Sequence, residues 1–165
     1  MADHNILSKL DRALVAYLIS VGAGTADDVY PAKRSDEKGL PCTVCYSQSA
    51  SLVHPFTGDW AIDVSIMVKT DPCIDVDQDA AEPKATSEAR VAATFDAFFA
   101  GLDSTGDKLA EAITAAVRAS GDADLATFTV INVTPKTVEA GFDQKGNAWI
   151  DTLDLEIICC SADVL

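Results

Sequence analysis

At 165 residues and 48% apolar content, the chain fits one domain whose core is large enough to fold without disulfide or metal support. Twenty-six acids against twelve bases leave a formal charge of -14, which opposes attraction to nucleic-acid phosphates or anionic lipid through a basic surface. The opening Met1-Ala2-Asp3-His4 lacks the basic and apolar regions of a signal peptide, and no segment has the roughly 20 apolar residues of a membrane span, so a soluble protein made in a cytoplasm is expected.

Ile6, Leu7, Leu10, Leu14, Tyr17, Leu18 and Val21 recur at helical spacing, opposite Lys9, Asp11 and Arg12. That spacing predicts a helix from about Asn5 to Val21, stopped by Gly22 or Gly24, whose apolar stripe covers a sheet. The turn-rich stretch from Thr25 to Gly39 reads as a connection with room for a short extended piece at Val29-Tyr30. Pro41 to Ser47 can form a strand. A bend or hairpin connection at His54-Pro55-Phe56-Thr57-Gly58 separates it from Asp59 to Thr70 and makes His54 a loop histidine. In Asp59 to Thr70, Trp60, Ile62, Val64, Ile66 and Val68 alternate with Ala61, Asp63, Ser65, Met67 and Lys69, as a strand requires.

The next segment, Asp71 to Ala85, is acidic, contains Pro72 and Pro83 and has no sustained period, so a long exposed loop is expected. A loop of that length in a compact domain is commonly functional or disordered, which makes it the best interaction candidate in the chain, with a solvated linker as the alternative. A helix resumes at Thr86 or Ser87 with Val91, Phe95, Phe98, Phe99 and Leu102 on its apolar face. It breaks at Ser104 to Asp107 and continues through Leu109, Ile113, Ala116 and Val117 to an end near Gly121. Leu125 to Val133 reads as a strand, Pro135 to Gly146 as a connection, and Trp149 to Cys160 as the final strand. Trp149, Leu153, Leu155, Ile157 and Cys159 lie on one face of that strand, and Thr152, Asp154 and Glu156 on the other. The element order predicts an α+β domain over residues 1–165, a curved antiparallel sheet with helices packed on one face.

Little in this pattern carries chemistry. Five cysteines, Cys42, Cys45, Cys73, Cys159 and Cys160, are an odd number without export signals, which favours reduced thiols. Cys42-Thr43-Val44-Cys45 has zinc or redox spacing, but on a strand its two thiols point to opposite faces, as do Cys159 and Cys160, so no metal site is expected. Asp75-Val76-Asp77-Gln78-Asp79 opens like a calcium loop, yet Ala80 and Thr86 stand where that loop needs Gly and Glu. His4 and His54 have no nucleophile context, and Gly22-Ala23-Gly24 lacks the rest of a phosphate loop. Asp27-Asp28 and Asp151/Asp154 read as solvated acids, and Asn132-Val133-Thr134 as a chance sequon. No catalytic residue, cofactor or metal is expected, and the chain reads as a non-enzyme.

The layout itself resembles a family. The opening helix through Leu10-Asp11-Arg12-Ala13-Leu14-Val15-Ala16-Tyr17-Leu18-Ile19 leads to strands ending at Ile66-Met67-Val68-Lys69. A central helical segment with Phe95, Phe98 and Phe99 and a terminal strand pair follow, and together these resemble the tail terminator proteins of tailed bacteriophages and their tail-completion and neck relatives. The resemblance implies a subunit of a homo-oligomeric ring, usually a hexamer, in the virion. Such a ring caps the tail tube protein, joins it to the head-tail connector protein, and lets DNA pass through its lumen without specific binding. It implies no catalytic residues and no membrane. On this reading the interface and lumen candidates are Asp71, Asp75, Asp77, Asp79 and Glu82 of the acidic loop and Asp143, Gln144 and Lys145 of the later turn. A head-tail adaptor or stopper of the same particle and a cytosolic binding module are the alternatives.

Overall fold

The computed structural model describes residues 5–32, 39–54, 56–70, 81–99, 107–145 and 147–164. Its elements run α1 (Ile6–Ser20), β1 (Val29–Pro31), β2 (Cys42–His54), β3 (Asp59–Thr70), α2 (Ala81–Phe99), α3 (Asp107–Ser120), a 3-10 turn (Ala123–Leu125), β4 (Thr129–Asp143) and β5 (Ala148–Cys160). Five strands form one sheet in the order β1-β2-β3-β5-β4. The α+β expectation therefore holds, with one change: β1 runs parallel to β2, pairing Val29 with Thr43 and Pro31 with Cys45, so the sheet is mixed. The other three pairings are antiparallel.

Helix α1 starts where Asn5 accepts the Leu7 N–H at 3.0 Å. It ends where Gly22, at φ +76°, lets Gly22 N–H reach the Ile19 carbonyl and Ala23 N–H the Leu18 carbonyl, at 3.1 and 2.9 Å. Leu10, Leu14 and Leu18 of α1, Phe98 of α2, and Leu109 and Ile113 of α3 pack against Ile62, Ile66, Leu153 and Ile157, so the main core lies between helices and sheet. A second, smaller cluster of Tyr30, Cys42 and Val44, with Leu40 and Met67 against it, lies apart from the first.

Several sequence-based boundaries move. Strand β2 runs past Ser47 to His54, so His54 ends a strand and is not a loop histidine, and Leu125 closes the 3-10 turn ahead of β4, which starts at Thr129. Helix α2 begins at Ala81, inside the segment read as a loop, because Pro83 falls in its first turn, where a missing N–H costs no intrahelical bond. Strand β4 continues through Pro135 to Asp143, replacing the expected connection, because β4 is an edge strand and Pro135 adjoins a bulge between Pro135 and Thr137.

The polar side of α1 is also different from its periodic reading. Lys9 is fully buried, and its ammonium donates to the Asp124 carbonyl (2.6 Å), Ser161 Oγ (3.3 Å) and Asp163 Oδ2 (2.7 Å), tying α1 to the end of the chain. Asp11 is buried too and accepts from Ser47 N–H (2.8 Å) and Ser47 Oγ (2.6 Å) on β2. Arg12 pairs with Asp122 and Asp124. A similar tie holds α2: Arg90 donates to both carboxylate oxygens of Asp28, at 2.9 and 3.0 Å, and to Thr43 Oγ1 at 3.0 Å. Gly24 makes room for it, since a Cβ there would lie 2.6 Å from Arg90 Nη2. Burial works to raise the Asp28 pKa, but the hydrogen bonds and charge of Arg90, with Thr25, hold it below the ordinary carboxylate value.

Candidate functional site

Residues 71–80, and with them Asp71, Asp75, Asp77 and Asp79, lie outside the described residues. Glu82 belongs to the first turn of α2, so it is not a loop residue. Asp143 closes β4 opposite Ala148, and Asp143 Oδ1 accepts the Lys145 N–H at 3.0 Å, which shapes the turn to β5. Asn147 completes that turn at φ +46°. Gln144 and Lys145 are thus the exposed tip of a hairpin.

The pairing register puts the β4–β5 turn at one end of the sheet, level with Lys69 and Thr70, and the β2–β3 turn at the other. Each end displays aromatic side chains. Phe56, in the β2–β3 turn, is 91% exposed beside His54, with ring centroids 5.5 Å apart. At the opposite end Phe142 and Trp149 meet edge to face at 5.2 Å and remain 42% and 49% exposed. Trp149 has the core-side parity of its strand, as expected, but it is half exposed and outside the main core, although Thr70 beside it on β3 is buried. Its alternation is readable in the sequence; its exposure is not.

On the helix-free face, polar side chains form a belt across four strands. Gln48 of β2 donates to Ser65 of β3, Ser65 to Asp154 of β5, and Thr137 of β4 to Asp154 at 2.8 Å. Lys136, displaced by its bulge, bridges Asp63 and Glu156 at 2.5 and 3.4 Å, and hydrogen bonding to Asp63 raises its pKa. These bonds satisfy the acids locally, so the belt reads as a hydrated, structured surface rather than as free general acids and bases.

The thiols are placed as the strand parity requires. Cys42 belongs to the smaller cluster and Cys45 to the main core, on opposite sides of β2. Burial pushes the Cys45 and Cys159 thiols far up in pKa, which disfavours the thiolate needed to ligate a metal or attack a disulfide. Cys73 lies outside the described residues. Between α1 and α3 runs an open cleft of about 490 Å³, lined by Val15, Ile19, Ala116, Ala119 and Leu125 with Arg12 on its wall. No helix among the described residues is long and apolar enough to cross a membrane.

The class defined by these features is an α+β domain with an open mixed sheet, helices on one face and two exposed hairpin ends. No protein-family model matches the chain, and no curated protein does either. In fold it is similar to a chain of a solved particle described as the virion of a native gene transfer agent, with a TM-score of 0.52. That likeness covers 95% of this chain and 98% of the other at 14% identity, so it is a likeness of the whole fold.

Proposed function

We propose that this chain is a structural protein of a phage-like particle, and within it a tail terminator that assembles as a ring, of six copies by the family resemblance, on the end of the tail tube. The observation that carries the reading is the fold likeness to a chain of a gene transfer agent virion, which runs nearly end to end in both chains. A ring at a junction needs two axial surfaces, and the two aromatic hairpin ends, Phe56 and Phe142/Trp149, supply candidates for tube protein and connector protein. A charge of -14 suits a lumen that DNA crosses without adhering. The reading needs no catalytic residue, cofactor or metal.

Disrupting the gene in a producing strain tests the assignment. A terminator predicts tails of uncontrolled length that fail to join heads, because nothing stops tube polymerisation. The adaptor or stopper reading predicts instead tails of normal length left unattached. Normal infectious particles would overturn both.

A further inference from the structure

Helix α2 meets the rest of the molecule along one narrow stripe. Arg90, Thr94 and Phe98 follow one another at intervals of one helical turn and point inward, while Ala89, Ala92, Ala93 and Asp96 are exposed. Among its described side chains Phe98 alone is a buried apolar one, with Phe95 and Ala97 partly buried beside it. By contrast α1 buries Leu10, Leu14 and Leu18, and α3 buries Leu109, Ile113 and Val117. Apolar burial therefore holds α1 and α3 more firmly than α2.

What fastens α2 is largely polar, and it acts at two points. Arg90 donates to both Asp28 carboxylate oxygens at 2.9 and 3.0 Å, to the Asp28 carbonyl at 3.1 Å and to Thr43 Oγ1 at 3.0 Å. Two turns on, the Tyr17 hydroxyl donates to the Ala97 carbonyl, and the Tyr17 ring meets Phe98 edge on at 5.6 Å. These partners keep their places without α2. The Asp28 carbonyl accepts the Thr43 N–H at 2.7 Å, which ties it to β2, Tyr17 belongs to α1, and every strand of the sheet pairs with another strand. Two details weaken the closed position. Thr94 is fully buried and its hydroxyl has no hydrogen-bond partner among the described residues, a cost that water removes when the helix lifts. The Asp28 side chain is 31% exposed, so water can replace Arg90 there.

We infer that α2 is a releasable strap, which lifts from the folded domain as a unit while α1, α3 and the sheet stay in place. Arg90 on Asp28 and Tyr17 on Ala97 are its two latches. Elements that move on binding or assembly are drawn from such parts of low local stability. Release bares the buried Thr43 on which Arg90 rests and the place of Phe98 against Tyr17. The strap does not depend on the ring assembly proposed above.

Hydrogen exchange of the purified full-length chain, read by mass spectrometry over a series of low urea concentrations, separates this opening from global unfolding. Amides of residues 92–99 should exchange at least about tenfold faster than those of residues 62–68 in β3 and 153–157 in β5. Their rates should also depend less on urea, since lifting one helix exposes less surface than unfolding the chain. Arg90→Gln should speed exchange in α2 by about a further tenfold and leave the strands better protected than α2. Tyr17→Phe, which keeps the ring and loses the hydroxyl, should act in the same direction. Should Arg90→Gln fail to fold, Arg90→Lys replaces it, keeping the charge and losing the fork. Amides of α2 and of the strands that exchange at one rate with one urea dependence would overturn the strap. Exchange in α2 unchanged by the Arg90 variant would overturn the latch.

Discussion

Replacing Lys9 by Met separates the structure from the periodic reading of α1 more sharply than any other single change. On an exposed helix face the substitution would shift stability by no more than about 0.5 kcal/mol. In the structure it removes three hydrogen bonds at once, taking the Lys9 donor from the Asp124 carbonyl, the Ser161 hydroxyl and the Asp163 carboxylate, of which the last two keep their bonds to each other and to Thr127. Hydrogen bonds from a charged group contribute about 1.5 to 3 kcal/mol each, but burying the ammonium costs several kcal/mol, and methionine relieves that cost. Asp163 is 34% exposed, so water recovers part of its loss. The net expectation is a destabilisation of about 2 to 3 kcal/mol, or a fall of roughly 5 to 10 °C in melting temperature for a chain of this size.

The effect should depend on pH with a definite sign. The Lys9 hydrogen bond, helped by Ser161 and Thr127, holds the folded Asp163 pKa well below its ordinary 3.8. Stability from that depression is present above 3.8 and is lost as pH falls through the folded value. Urea denaturation at neutral pH and again below pH 3.8 should therefore show the wild-type advantage over Lys9→Met shrinking in acid. Equal stability of the two proteins at neutral pH would refute the buried clamp.

Phe98 and Phe99 are adjacent but unlike: Phe98→Ala should cost about 3 to 5 kcal/mol because that ring is fully buried against Tyr17, whereas Phe99→Ala should fall within about 1 kcal/mol. Similar denaturation midpoints for the two variants would refute the α2 register. Alkylation under native conditions should reach the half-buried Cys160 before Cys42, Cys45 and Cys159, which need unfolding first; equal labelling rates would contradict their burial. Replacing Asp75, Asp77 and Asp79 together by Asn should leave the melting temperature nearly unchanged and alter particle assembly, and normal infectious particles from that variant would reduce the acidic segment to a solvated linker.

What the sequence disclosed follows from what local patterns can encode. The period of α1 and the alternation in Asp59–Thr70 and Trp149–Cys160 are local signals, and the elements lie close to those bounds. Pro135 and Pro83 misled because proline forbids a central strand and a helix interior, while an edge strand and a first helical turn admit it. Nothing local distinguishes a buried Lys9 from a solvated one; its partner Asp163 is 154 residues away. Of the candidate interface residues, Gln144 and Lys145 sit at an exposed turn before β5. The exposed aromatic pair was hidden because Trp149 has core parity, and parity alone does not decide exposure.

The central claim is that this chain is a ring-forming structural part of a phage-like particle. Electron cryomicroscopy of particles purified from a producing strain tests it most directly, with mass spectrometry confirming the chain in the same sample. The account predicts a ring of this fold at the head-proximal end of the tail tube, seated between tube and connector. Particles complete with heads and tails but lacking the chain would contradict it.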